Sequence, residues 1–395
     1  MKGMTLRAMT QAVNGIYHGN GEDYDKEITA ITIDSRKVAE GGLFIAIKGE
    51  RSDGHDFIGQ CFEKGAACVI SEKELPDEER SYIQVESSLQ ALKDLALLYR
   101  NNLDVKVVGI TGSVGKTSTK ETISSVLSEK YRVLKTLGNF NNEIGLPLTV
   151  FRLTEDDEVA VLEMGISDFG EMDRLSKIAQ PDISVITNIG LCHLENLKTR
   201  DGILKAKTEI FNNMKPDGIA ILNGDDDKLI TVDEVNGKKP ERFGINYKDG
   251  VYAKDIENLG LSGTKFVISG LNCVDGCKDF EVTVPVPGHH MIYNALAAAC
   301  VGAALELTSA QIADGITDLK TISGRNNIIK TSKYTLIDDC YNANPVSMKA
   351  SVDVLDMAIG RKVCILGNMY ELGENEKNLH YDVGQYIGCL LYTSP

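Results

Sequence analysis

The chain has 395 residues, a formal net charge of -15, 43% apolar residues and 25% charged residues. That length accommodates roughly two to four domains with ordinary soluble cores. The acidic balance, with no Lys/Arg-rich run, excludes nucleic acid and anionic membrane surfaces as partners, because both need clustered positive charge. An ATP-Mg2+ site stays open, since it needs only a few local cations. The nine cysteines are scattered and residues 1–14 do not form a secretory signal, which points to a reducing compartment, the cytoplasm. No stretch approaches the about 18 apolar residues needed to span a bilayer, so a soluble chain without membrane insertion is expected, and a monomer. Cys273 and Cys277 form a lone C-x3-C without a second pair or a nearby His, and read as structural rather than as a zinc site.

In chain order, short β-like runs at 28–33 and 43–47 alternate with turn-rich segments such as 48–54. Residues 88–99 carry helical apolar spacing at Leu89, Leu92, Leu95, Ala96 and Tyr99, and Asn101-Asn102 breaks it. A first domain is therefore expected over 1–102. Apolar runs at 105–110, 159–164, 183–189 and 218–223 are separated by helix-length segments, which predicts a parallel sheet covered on both faces. Between 242 and 286 alternating runs with Gly turns, at 265–269 and 280–286, predict added antiparallel strands, and 294–305 reads as an Ala-rich buried helix. This central domain is expected over 103–321. A third unit over 322–395 begins at Ser323-Gly324-Arg325, with strands at 334–337 and 362–366 and a helix at 347–358. The class is α/β.

The chemistry concentrates at Gly109-Ile110-Thr111-Gly112-Ser113-Val114-Gly115-Lys116-Thr117-Ser118, which joins an apolar strand to a helix. Glycines let backbone N-H groups curl around phosphate oxygens, the helix N-terminus adds its dipole, Lys116 supplies charge and Thr117 can place a hydroxyl on Mg2+. The common G-x4-G-K-[ST] spacing would need Gly where this chain has Ile110. A phosphate loop also needs a carboxylate at the end of a neighbouring strand to hold the metal, and the run 159–162 ends in Glu163. The run 183–189 leads into Gly190-Leu191-Cys192-His193, placing His193 at the same carboxyl edge of the sheet. Lys205 and Lys207 begin the following helix and by themselves read as solvated surface residues. Arg325, by itself a surface residue, sits where a moving domain would supply a cation to a nucleotide.

Together these segments resemble the Mur ligase family from the first domain almost to the end. Asp34-Ser35-Arg36, Gly41-Gly42-Leu43-Phe44 and Asp53-Gly54-His55-Asp56-Phe57 are similar to its uridine-nucleotide-binding first domain, which assigns Ser35 and Arg36 to the substrate. Residues 111–117 match its phosphate loop, including the unusual spacing. The resemblance places Asn139 and Asn142, in Gly138-Asn139-Phe140-Asn141-Asn142-Glu143, on the sugar-nucleotide substrate. It makes Glu163 and His193 metal ligands with Thr117, and puts Lys207 where the family carries a carbamylated lysine. It also implies that Asn294 contacts adenine and Arg325 the phosphates, with Gly112, Ser113, Val114, Gly115, Lys116, Thr117 and Ser118 around them. Within the family, Asp338-Asp339-Cys340-Tyr341-Asn342-Ala343-Asn344-Pro345 looks like the members that add D-alanyl-D-alanine to UDP-N-acetylmuramoyl-tripeptide, which assigns Asp339, Asn342 and Asn344 to substrate. The segment from Leu366 through Glu371 to Gly373, with His380 and Gly384, also fits, although Asn368 stands where an Asp is usual.

The implied fold is three domains: a UDP-substrate domain, a P-loop ATPase domain and a Rossmann-like amine-substrate domain. The implied chemistry is phosphorylation of the substrate carboxylate by ATP, with two Mg2+ ions, followed by attack of the amine on the acyl phosphate. Lys116, Glu163, His193 and Lys207 would be its catalytic set. A folyl-polyglutamate-type ligase shares the core but not Asp34-Ser35-Arg36, and a P-loop GTPase would show an Asn-Lys-x-Asp motif that this chain lacks. Residues 388–395 lose the preceding pattern. The third domain is therefore expected to be incomplete, and a truncated chain that binds substrates without turnover is the remaining alternative.

Overall fold

The computed structural model describes residues 1–76, 80–370 and 372–391. Glu371 and the final residues 392–395, on which part of the C-terminal reading rests, lie outside the described residues. Among the described residues there are three sheets, the first of five strands in the order Ile16–His18, Tyr82–Gln84, Cys68–Ser71, Leu43–Ile45, Ile31–Thr32. The run expected at 28–33 narrows to two paired residues. The amides of Ile28 and Thr29 bond instead to the carbonyls of Met4 and Gly41 outside the ladder.

The predicted helix forms as Ser88–Asn101, capped by the Ser87 hydroxyl, which accepts from the Gln90 amide. Its buried face, Ala91, Leu92, Leu95, Ala96 and Tyr99, belongs to a core that continues through Leu146, Leu162, Met164 and Leu175. Tyr99 donates its hydroxyl proton to the Leu153 carbonyl at 2.6 Å. Arg100, 4% exposed, donates to the carbonyls of Ala179, Leu103 and Val105. Burying a guanidinium is tolerable only with such donors satisfied, and here they fasten the first sheet's unit to the second.

The second sheet has nine strands: Asp279–Val284, Thr264–Ser269, Val251–Asn258, Glu241–Gly244, Ile219–Asn223, Ile183–Ile186, Lys106–Thr111, Val159–Glu163, Val133–Lys135. Neighbours run parallel from Val133–Lys135 through Val251–Asn258, and Thr264–Ser269 and Asp279–Val284 add antiparallel strands at the far edge. Helices Lys116–Leu127 and His290–Ala304 cover one face, packing on Val108, Ile110, Val161 and Val185. Helices Glu171–Ala179 and Arg200–Thr208 cover the other, with Leu162 and Ile186. Burial on both faces is why these strands read as unbroken apolar runs. Lys205 and Lys207 prove to lie in the last turn of their helix, not its first, because Thr199 caps it six residues before Lys205.

Strand order places the crevice. After Lys106–Thr111 the chain crosses to the outer strand Val133–Lys135, returns to Val159–Glu163 on one flank, and then pairs Ile183–Ile186 on the other. The carboxyl end of Lys106–Thr111 is thus the point where the winding reverses, the position at which open α/β sheets hold ligands.

The third sheet pairs only Asn327–Lys330 with Thr335–Asp338, antiparallel. Helices Pro345–Asp356 and Glu376–Leu391 accompany it around a small core of Met348, Met369, Leu372 and Val383. The run expected as a strand at 362–366 forms none. A space of about 520 Å³ separates it from Thr335–Asp338, and its Val363 and Ile365 side chains are exposed. A β-like run without a ladder partner is not a strand. Among the described residues no helix is long and apolar enough to cross a membrane.

Candidate active site

The loop at the winding reversal is built by its neighbours. Ile110, the apparent defect in the spacing, is a fully buried strand residue, and the turn begins two residues later. Gly112 has φ +151°, and a Cβ there would meet Thr187 Oγ1 at 1.9 Å. Gly115, at φ +84°, occupies the N-cap of Lys116–Leu127, a conformation that L side chains rarely adopt. Val114 between them is clasped by the next strand end. Its N-H donates to Asn188 Oδ1 at 3.0 Å, and its carbonyl accepts from Thr187 Oγ1 at 2.7 Å and Asn188 Nδ2 at 2.9 Å. Ser113 Oγ accepts from the Gly190 amide at 2.9 Å. Lys116 Nζ lies across the loop, donating to the carbonyls of Gly112 (2.9 Å) and Ser113 (3.4 Å).

A cavity of about 540 Å³ opens at this loop. Its walls include Ser113, Val114, Gly115, Lys116, Thr117 and Ser118, together with Asn139, Asn142, Glu163, His193, Arg325, Asn342 and Asn344. A second cavity of about 580 Å³ lies on the other side of Val114, Gly115 and Ser118 and holds Asn294 and Asp339; Arg325 borders both. Asn294 is buried and accepts from Thr119 Oγ1 at 2.9 Å, tying helix His290–Ala304 to the loop helix. Arg325 lies over the Tyr341 ring at 4.3 Å, so its cation is oriented by the third sheet's unit.

Not every predicted residue joins these cavities. Ser35 and Arg36 lie in the first sheet's unit, where the Arg36 guanidinium forks onto Asp34 at 2.8 and 2.9 Å and holds that carboxyl down to about 2. Three residues that do line a cavity also hold backbone amides: Asn344 caps helix Pro345–Asp356, accepting from the amides of Val346 and Ser347. Asp339 accepts from the Asn326 amide and from the Ser351 hydroxyl. Asn142 likewise holds the amides of Ile144 and Gly145. Lys207 lines neither cavity and is 1% exposed. Burial first, and then the charge of Lys116, push its pKa down to about 7.

Sequence reasoning missed Asn141, which donates to Glu163 Oε1 at 2.9 Å, and the clasp of Thr187 and Asn188. Their only signal is a position just past a strand end or within an Asn-rich turn.

Three family models match the chain: "Mur ligase family, catalytic domain" over residues 27–100, "Mur ligase middle domain" over 110–302, and "Mur ligase, glutamate ligase domain" over 324–391. A relative from Bacillus subtilis, UDP-N-acetylmuramoyl-tripeptide--D-alanyl-D-alanine ligase, is 40% identical over 97% of this chain and 82% of its own length. The chain belongs to the Mur ligase family. A crystal structure of MurF from Acinetobacter baumannii superposes with a TM-score of 0.89 at 35% identity, covering 98% of this chain and 83% of that one. The MurF ligase from Thermotoga maritima in complex with ADP gives a TM-score of 0.82 at 35% identity, over 91% of this chain and 82% of that one.

Mur ligase membership implies a metal, and the side chains that would receive it are Glu163 and Thr117. Glu163 Oε1 accepts from Thr117 Oγ1 at 3.3 Å, while its Oε2 is buried without a hydrogen-bond partner. The cavity-side oxygen, Oε1, lies beside the loop hydroxyl, and a carboxylate oxygen so placed suits a hard divalent cation. Among the described residues no three His, Cys, Asp or Glu side chains cluster to hold a metal by themselves.

Gly112→Ala puts a methyl 1.9 Å from Thr187 Oγ1 on a backbone at φ +151°, so either Thr187 releases the Val114 carbonyl or the loop backbone shifts. Calorimetric ATP binding is expected to weaken at least about tenfold with the far-UV circular dichroism unchanged. Binding within twofold of the parent would contradict this geometry.

Proposed function

We propose that this Mur ligase joins D-alanyl-D-alanine to UDP-N-acetylmuramoyl-tripeptide at the expense of ATP, in the cytoplasm, for peptidoglycan precursor synthesis. The observation that carries the reading is a single cavity in which the phosphate loop faces both the Asn139 to Asn142 segment and residues Tyr341, Asn342 and Asn344 of the third sheet's unit. One space thus meets a loop for ATP and two further surfaces for the partners to be joined. The likeness to relatives that carry this activity by name supports it. We divide the chain accordingly into a UDP-substrate unit over 1–102, an ATP unit over 103–321 and an amine unit over 322–395.

In this mechanism the amides at the start of helix Lys116–Leu127 and the Lys116 ammonium grip the ATP phosphates, and Arg325 approaches them from the third unit. Adenine is assigned to the cavity that Asn294 borders on the other side of Val114 and Gly115. Asn139 and Asn142 steer the terminal carboxylate of the tripeptide toward the γ-phosphorus. The carboxylate oxygen attacks phosphorus, the bond to the ADP oxygen breaks, and an acyl phosphate forms. The amine of D-alanyl-D-alanine then attacks the acyl carbon and phosphate leaves. Asn342 and Asp339 sit on the third unit's side of this chemistry, and Ser35 and Arg36 hold the uridine end. Most of the acceleration comes from positioning and charge neutralisation. Mg2+ held by Thr117 and Glu163, and a second ion near His193 and Lys207, would neutralise charge on the transferred phosphoryl group.

A pKa pushed down to about 7 leaves a large share of Lys207 as the neutral amine at physiological pH, the form that adds CO2 to give a carbamate and a proton. The carbamate would replace a cation that Lys116 repels by an anion that it attracts. The amine is neutral above about 7 and protonated below it, so activation by bicarbonate is expected to grow as pH rises through 7 and to vanish as pH falls. Assays in CO2-free buffer with and without bicarbonate at pH 6 and 8 read this directly; no bicarbonate effect at either pH would remove the carbamate.

Lys116→Ala should lower ATP-dependent ligation by about 100-fold or more, measured as product formed, with the fold intact. Near-normal turnover would overturn the site assignment.

A further inference from the structure

Lys120 stands one helical turn beyond Lys116, and no step above uses it. It is 1% exposed, and an ammonium is buried so deeply only when paired. Its Nζ donates to the Thr136 carbonyl at 2.8 Å, lies 3.1 Å from Glu121 Oε1 and 3.8 Å from Glu163 Oε2. Glu121 is shared with Lys135 Nζ at 2.5 Å. Thr136 is bonded from both directions, since its hydroxyl accepts the Glu163 amide at 3.0 Å.

The two oxygens of Glu163 therefore differ. Oε1 accepts from Thr117 and Asn141, both on the cavity wall. Oε2 has no hydrogen bond, and the opposite charge beside it is Lys120. A carboxylate buried on one side needs a counter-charge there, and the placement of that charge fixes which way the group turns. Lys120 is too far for a hydrogen bond that would draw Oε2 away, yet near enough to compensate it.

We propose that Lys120 is a positioning residue for Glu163: braced on Thr136 and Glu121, it compensates the carboxylate from behind and holds it, with Thr117, in the orientation that receives a divalent cation. The inference rests on the reading of Glu163 as the cation's carboxylate. If Lys120 only ties the loop helix to Thr136, its loss lowers stability and leaves the Mg2+ requirement alone.

The test is equilibrium binding of a fluorescent ATP analogue to the full chain, titrated with Mg2+ and repeated in EDTA, for the parent, Lys120→Met and Lys120→Gln. Gln keeps a donor for the Thr136 carbonyl while removing the charge, and it carries the comparison if the Met variant does not fold. The Mg2+ concentration for half-maximal binding is expected to rise about 10- to 100-fold in both variants. Binding in EDTA should stay within about threefold of the parent. A parent-like Mg2+ midpoint, or an equal loss with and without Mg2+, would overturn the role of Lys120. A parent whose analogue binding ignores Mg2+ would instead sink the reading of Glu163.

Discussion

The constraint on which the site depends is the close contact between Gly112 and the end of the neighbouring strand. The backbone turns there within reach of Thr187, a distance that admits no Cβ, and Thr187 and Asn188 close on Val114 from the other side. A loop held this way keeps its turn without help from a ligand, with the Ser113 and Val114 amides bonded to Asn188 and those of the first turn of helix Lys116–Leu127 left for phosphate. The contact exists only because Ile183–Ile186 pairs with Lys106–Thr111. On the opposite flank the same order brings Val159–Glu163 alongside, so the carboxylate and the loop hydroxyl meet at one sheet edge.

The units around this edge differ in how firmly they are joined. Helix Ser88–Asn101 shares one continuous core with the middle of the chain and is stitched to it by Tyr99 and Arg100. The third sheet's unit has only a small apolar core, around Met348, Met369, Leu372 and Val383 among the described residues, yet it carries Tyr341 and orients Arg325. A firm floor and a lightly packed cover suit the proposed reaction, in which an acyl phosphate would have to be kept from water by a cover that opens for substrates.

Much of this was legible in the sequence, for a physical reason. Features encoded locally came through: the glycines and Lys116 of the loop, the apolar run that delivers Glu163, and the spacing of helix Ser88–Asn101. Features that depend on which strand lies beside which did not. Asn141, Thr136, Asn188 and Lys120 are ordinary polar residues until the order of the second sheet puts them against Glu163 and Val114. Residues 362–366 fail in the opposite sense, since their composition suits a strand but no ladder partner stands beside them among the described residues. The fate of Lys207 was likewise invisible locally, because burial, not sequence, makes a surface-type lysine into one with a pKa of about 7.

The central claim is tested most directly by phosphate release from ATP in the presence of UDP-N-acetylmuramoyl-tripeptide, with each candidate amine supplied in turn. The account predicts stimulation by D-alanyl-D-alanine and none by glutamate. Stimulation by glutamate, or release indifferent to the tripeptide, would contradict it.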